Sequence, residues 1–98
     1  MKKFEFARRA LSDLREIWEF VSQDNFDGAD QLLEEFYGTL HQLSEMPLMG
    51  HKRNDLTDRE VLFWPLHSYL VIYKPTRPLR IVRILHGRRD VRKLLKKR

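Results

Sequence analysis

Residues 69–90, YLVIYKPTRPLRIVRILHGRRD, decide the fold of this chain. Two β-rich runs, Tyr69 to Tyr73 and Leu79 to Leu85, are separated by a short connection that contains two prolines. Because so short a connection joins neighbouring strands, the two runs are predicted to pair as an antiparallel hairpin. A third run, Glu60 to Trp64, precedes them across the turn at residues 65–68, and the three runs together predict a β-meander.

Upstream of the meander the apolar residues change their period. Residues 2–6 alternate polar and apolar side chains, which predicts a short first strand. From Ala7 to Val21 the apolar residues recur at helical spacing, and a second helical stripe runs from Ala29 to Leu43. The turn-forming residues 24–28 between them are too few to separate the helices, so we expect an antiparallel helical hairpin. The segment from Pro47 to Asp58 has no clear period and is predicted to be a loop.

Asp90 to Lys97 returns to helical spacing and completes the element order β-α-α-β-β-β-α. The predicted fold class is α+β, with the helical hairpin packed on one face of a twisted antiparallel sheet. A chain of 98 residues is long enough for one hydrophobic core, so a single domain over residues 1–98 is expected. The chain has no cysteine and no apolar run near the roughly 20 residues of a membrane helix. We therefore expect a cytoplasmic protein without disulfides or membrane contact.

Charge is distributed unevenly along the chain. The formal net charge is +5, but residues 1–50 carry five Lys/Arg against ten Asp/Glu, whereas residues 51–98 carry fourteen against four. From Arg77 to Arg98 there are ten basic residues and one acidic residue, Asp90. This concentration of positive charge predicts an anionic partner for the C-terminal end, either nucleic acid or an acidic protein.

Few residues suggest catalytic chemistry. Four histidines are present, and none has a partner at metal-ligand spacing, so no metal or cofactor is expected. His86 is the strongest candidate, because it ends a strand beside Arg88 and Arg89 and an imidazole there could exchange a proton near neutral pH. Its alternative role is a strand-end hydrogen bond. Arg80 and Arg83 differ in parity within one strand, so at least one is expected on an open sheet face or paired with a carboxylate.

The same residues carry a resemblance to a known family. The run Tyr69 to Tyr73, a short turn, and the segment Arg80 to Asp90 resemble the C-terminal half of ParE-type toxins of bacterial toxin-antitoxin modules. The first half is similar too, with Ala10, Leu14 and Ile17 on the first helix. The resemblance implies the RelE/ParE superfamily fold, and with it growth inhibition, plasmid stabilization and neutralisation by a cognate antitoxin.

This superfamily contains two biochemical classes. RelE-like members are ribosome-dependent mRNA endoribonucleases, and ParE-like members poison DNA gyrase. The resemblance puts apolar residues where RelE-like enzymes have an arginine, two lysines and a tyrosine; these positions are Leu70, Val61, Phe63 and Leu95. Only Arg89 is retained, and one arginine cannot take a proton, give one and stabilise a phosphorane. Gyrase poisoning is therefore favoured, and a ribonuclease that uses His86 and Arg89, with His51 or His67, is the alternative.

The resemblance also assigns candidate surfaces. We expect no catalytic residue in the gyrase poison. The expected target-binding residues are Arg83, His86, Arg88, Arg89 and Arg92. The expected antitoxin-binding residues are Trp18, Phe36, Tyr73 and Arg80. The implied partners are DNA gyrase and a ParD-like antitoxin in a hetero-oligomer, with DNA contacted only indirectly through the antitoxin.

Overall fold

The computed structural model describes residues 2–96. The elements run β1 (Phe4–Phe6), α1 (Arg8–Ser22), α2 (Phe26–Glu45), a 3₁₀ turn (Pro47–Met49), β2 (Leu62–Leu66), β3 (Tyr69–Lys74), β4 (Leu79–His86) and α3 (Val91–Lys96). This order confirms the one predicted from the sequence periods. The predicted C-terminal helix extends to Lys97, which with Arg98 lies outside the described residues. No helix within residues 2–96 has the length and apolar character needed to cross a membrane.

The four strands form one mixed sheet in the order β1-β4-β3-β2. β2 with β3 and β3 with β4 are antiparallel, as the meander requires, whereas β1 is parallel to β4, with Glu5 opposite Arg80. The sheet is therefore mixed, and the prediction of a wholly antiparallel sheet is corrected. The helical hairpin carries the chain from β1 across the sheet, and such a crossover allows parallel pairing.

Two element boundaries differ from the sequence-based ones for local reasons. β2 extends through Pro65 to Leu66, because β2 is an edge strand and a proline there removes no hydrogen bond from the interior of the sheet. α2 begins at Phe26, where the side chain of Asn25 caps the helix by accepting a hydrogen bond from the Gly28 N–H at 2.8 Å.

Both faces of the sheet are covered by apolar clusters. The hairpin cluster lies between α1, α2 and the sheet, and includes Ala10, Leu14, Phe36, Leu40, Leu43, Leu62, Val71, Tyr73, Leu79, Ile81 and Ile84. The second cluster packs α3 on the opposite face, and includes Val61, Phe63, Ile72, Val82, Leu85, Val91 and Leu95. The sheet face expected to be open is thus partly closed by α3.

Candidate functional site

Arg83 lies in a buried ion pair. Its Nε and Nη2 donate to the two carboxylate oxygens of Asp13 on α1 at 2.7 and 2.9 Å, and the Ile84 N–H donates to the same carboxylate at 3.0 Å. The hydrogen bond to Asp13 raises the pKa of Arg83 although burial opposes it. The prediction of Arg83 as an exposed target-binding residue is therefore corrected, because Arg83 is buried and its Nε and Nη2 are bound to Asp13. The expectation that at least one of Arg80 and Arg83 lies on an open sheet face or pairs with a carboxylate is confirmed by this pair.

An irregularity in β4 immediately precedes Arg83. Ile72 pairs with Arg83, but the next residue, Tyr73, pairs with Ile81, so Val82 has no partner on β3. Such a bulge resets the alternation of side chains along the strand. Arg80, before the bulge, stays opposite Glu5 and donates to its carboxylate at 3.2 Å in a half-exposed pair.

His86 and Arg89 line one cleft between α1 and the β3–β4 hairpin. The cleft has a volume of about 340 Å³, and its other lining residues are Asp13, Glu16, Ile17, Phe20, Tyr69 and Ile84. The His86 ring packs edge-to-face on Tyr69, with centroids 5.4 Å apart. Phe20, at the same cleft, is 72% exposed, an unusual state for a large apolar side chain.

The imidazole of His86 makes the strand-end hydrogen bond considered above. Its Nδ1 accepts from the backbone N–H of Arg88 at 3.0 Å. Because an N–H group faces Nδ1, a proton cannot occupy that nitrogen without breaking the bond, and Nε2 carries the ring proton of the neutral form. This arrangement suits a structural or contact residue better than a general acid.

The other predicted target-binding residues follow β4. Arg88 and Arg89 are exposed in the turn before α3. Arg92 on α3 donates from Nε and Nη2 to the Asp55 carbonyl at 3.0 and 2.6 Å, so it ties α3 to the preceding loop although it remains exposed. The exposed cations Arg88 and Arg89 are thus the best placed of the set for an outside partner.

The remaining histidines do not join His86 in its cleft. His51 stacks on Trp64 with centroids 6.0 Å apart, and His67 pairs with Glu35 of α2. Arg89 lines a second shallow cleft with His67, of about 300 Å³. Among residues 2–96 no group of three or more His, Asp or Glu is arranged to hold a metal ion.

Two of the predicted antitoxin-binding residues lie inside the protein. Phe36 and Tyr73 are fully buried. The Tyr73 hydroxyl donates to the Pro47 carbonyl at 2.7 Å and accepts from the Gly50 N–H at 2.9 Å. Their assignment to a binding surface is wrong, because these side chains form the core instead. The helical stripe of α2 that contains Phe36 belongs to the face turned toward the sheet.

Trp18 does lie on the outside of the hairpin. Its Nε1 donates to Asp30 at 2.9 Å and its ring packs edge-to-face on Phe26. It borders a mainly apolar groove of about 410 Å³ whose other lining residues are Leu11, Leu14, Arg15, Asp30, Leu33 and Tyr37. Leu11 and Phe26 are 45% and 63% exposed, so the hairpin presents an apolar surface to solvent.

Two functional features escaped the sequence reasoning. Asp13 is polar and lies outside the apolar positions of α1, yet it is buried beside the bulge. Phe20 also lies outside the apolar stripe of α1, and a large aromatic residue on a polar helix face was a signal that the sequence did contain. No comparable signal marked Asp13, because its burial depends on a long-range arginine.

The elements and their packing define the class of small α+β proteins with a helical hairpin on a mixed sheet. The chain belongs to the family described as ParE toxin of type II toxin-antitoxin system, parDE, whose model matches residues 4–91. It is also similar to a solved structure of a chromosomal ParDE TA system from P. aeruginosa, with a TM-score of 0.72 over 88% of this chain and 96% of that chain. At 17% identity this likeness shows the fold. No curated protein matches the sequence.

Proposed function

We propose that this ParE toxin inhibits growth by poisoning DNA gyrase. The observation that carries the proposal is the second apolar cluster. Val61, Phe63 and Leu95 are 3%, 2% and 2% exposed, and Leu70 packs against them. The positions that hold catalytic residues in RelE-like enzymes therefore form an apolar core beneath α3. A site for RNA cleavage needs solvated acid, base and cationic groups at that face.

The ribonuclease alternative is supported by one observation. His86 and Arg89 line the same cleft as Glu16, which supplies a histidine, a cation and a carboxylate together. Against it, Nδ1 of His86 already accepts a hydrogen bond from the Arg88 N–H, which is a structural role. The contact surface for gyrase is proposed to be the cleft of His86 and Arg89 with the adjoining cation Arg88.

We further propose neutralisation by a ParD-like antitoxin in a hetero-oligomer. An amphipathic antitoxin helix fits the groove beside Trp18, because that groove is apolar and exposed. An acidic extended segment of the same antitoxin would meet the basic C-terminal half of the chain, near Arg80. DNA would be reached only through the antitoxin, and the toxin would act in the cytoplasm, where gyrase works.

Two assays run side by side test the target. Purified gyrase and plasmid report supercoiling, and translating ribosomes with a defined message report mRNA cleavage. We expect loss of supercoiling with intact mRNA. Ribosome-dependent cleavage with unaffected gyrase would replace the proposal with the ribonuclease. Co-expression with the neighbouring small open reading frame tests the antitoxin, which we expect to co-purify.

A further inference from the structure

A basic cleft separate from the His86 cleft lies between the start of α1 and the end of α3. Its volume is about 520 Å³. Its cations come from four parts of the chain, and they are Arg8, Arg9, Arg59, Arg83 and Lys96. One carboxylate, Asp58, also lines it. Since Asp13 neutralises Arg83, an excess of three positive charges remains around one cavity.

Most of these cations are not satisfied within the described protein. Among residues 2–96, no salt bridge involves Arg8, Arg9 or Lys96. Arg59 is fixed at the wall, where its Nη1 donates to the Leu95 carbonyl at 3.4 Å. Unpaired cations held around a cavity repel one another, and an anion placed among them relieves that repulsion.

The most buried cation of the cleft is Arg83, which is 7% exposed. The Nε and Nη2 of Arg83 donate to Asp13, whereas Nη1 makes no hydrogen bond within residues 2–96. The ion pair holds the guanidinium in place, and Nη1 is its remaining donor at the wall of the cleft that Arg83 lines.

The start of α1 adds backbone donors at the same place. Ala7 gives no side-chain cap, and the first turn of the helix contains no acidic residue. The N–H groups of Arg8, Arg9 and Ala10 therefore have no partner within the helix. Together with the helix dipole, they favour an anion at this end.

We propose that this cleft binds a phosphate group. A carboxylate has two acceptor oxygens and one charge, whereas a phosphate has up to four acceptor oxygens and more charge. Guanidinium donors, an ammonium and backbone N–H groups around one cavity match the phosphate better. The phosphate could belong to a nucleic-acid backbone or to a small phosphorylated ligand. The proposal does not depend on which cellular target the toxin inhibits.

Titration of the isolated toxin with inorganic phosphate, followed by ¹⁵N–¹H NMR at constant ionic strength, tests the site. We expect saturable shifts of the Arg8, Arg9 and Ala10 amides that sodium chloride does not reproduce. The variant Arg8→Gln/Arg9→Gln should weaken binding by about tenfold or more, because two charge-assisted contacts are lost. The matched control, Lys74→Gln/Arg77→Gln, removes two exposed charges outside the cleft and should bind as the wild type does.

Two further ligands identify the source of the phosphate. A short DNA duplex that displaces inorganic phosphate and is weakened by the same variant would point to a nucleic-acid backbone. Phosphate binding that the duplex does not displace would point to a small phosphorylated ligand. The proposal is overturned by absent or non-saturable shifts at these amides, by equal weakening in the control variant, or by tighter binding of hexaglutamate than of phosphate.

Discussion

The guanidinium of Arg83 on β4 holds both carboxylate oxygens of Asp13 on α1, at 2.7 and 2.9 Å, with both side chains less than one-tenth exposed. The same carboxylate accepts the Ile84 N–H just after the bulge. The pair therefore fastens the first helix to the irregular part of the sheet. It lies between the His86 cleft, which Asp13 lines, and the basic cleft, which Arg83 lines.

Breaking this pair should cost more stability than breaking an exposed one. Asp13→Ala leaves a buried guanidinium and the Ile84 N–H without their partner, so we expect a loss of about 3–5 kcal/mol in the free energy of unfolding. Urea denaturation measures it. Glu5→Ala, which breaks the half-exposed pair with Arg80, is the control and should cost at most about 1 kcal/mol. Equal losses would mean that the buried pair does not fasten α1.

A methyl group at Gly50 should collide with Tyr73. An ideal Cβ at Gly50 would lie 2.5 Å from the Tyr73 hydroxyl oxygen, which is held by its bond to the Pro47 carbonyl. We expect Gly50→Ala to lower the free energy of unfolding by about 1–3 kcal/mol. Gly38→Ala is the matched control, because nothing lies within 4 Å of its new Cβ in the middle of α2. That change should stabilise the protein by about 0.5–1 kcal/mol.

A double-mutant cycle separates the clash from a backbone effect. Tyr73→Phe removes the closest atom, so Gly50→Ala should cost less in that background than in the wild type. Additive losses would show that the hydroxyl is not the obstacle.

Stability should fall at alkaline pH through Tyr73. Burial raises the pKa of Tyr73 above its usual value, and the hydrogen bond from the Gly50 N–H only partly offsets this. The unfolded chain releases the phenolic proton near pH 10 while the folded protein retains it. The stability advantage of the wild type over Tyr73→Phe is thus complete well below about pH 10, the usual pKa of tyrosine, and should shrink as the pH rises above it. Urea unfolding of both proteins across this range measures it, and a constant difference would contradict the assignment.

The spacing of neighbouring residues predicted the helices and strands well. It could not predict contacts between residues that are far apart in the sequence. The alternation at Tyr69–Lys74 and the helical spacing of α1 can each be recognised from residues that are close in the sequence. The burial of Arg83 depends instead on a carboxylate 70 positions away in the sequence. The parallel pairing of β1 likewise depends on where the hairpin returns the chain.

The candidate site was predictable to a similar degree. The exposed cations Arg88 and Arg89 follow from the charge pattern alone. The burial of Phe36 and Tyr73 does not follow from the sequence. An apolar residue on a helix or strand gives the same sequence pattern whether it faces the sheet or a partner protein. For the same reason, the sequence did not predict that apolar residues of α3 would pack on the second face of the sheet.

Antitoxin affinity should depend on the groove beside Trp18. We expect Trp18→Ala to weaken binding of the co-purified antitoxin by about 2 kcal/mol or more, because a half-buried tryptophan that borders an apolar groove is a typical anchor. Leu48→Ala is the control, since Leu48 is 79% exposed but does not line the groove. Titration calorimetry measures both, with thermal unfolding to check the fold. Equal effects of the two changes would remove the groove from the interface.

Arg89 and His86 should differ in their importance for toxicity. Arg89→Ala removes an exposed cation that makes no salt bridge within residues 2–96, so we expect growth inhibition to fall strongly while folding and antitoxin binding remain near normal. His86→Ala should reduce growth inhibition far less, whereas removing a general acid typically costs about 100-fold or more in rate. Induction in growing cells, with the soluble protein level as a check, measures both. The reverse ranking would support the ribonuclease.

Accumulation of gyrase-cleaved DNA tests the central claim most directly. Purified toxin is added to gyrase, ATP and supercoiled plasmid, the reaction is stopped with detergent and protease, and linear plasmid is quantified. We expect linear DNA to rise with wild-type toxin and with His86→Ala, and to rise much less with Arg89→Ala. Absence of linear DNA and unimpaired supercoiling, at toxin concentrations that cleave mRNA on ribosomes, would contradict the central claim.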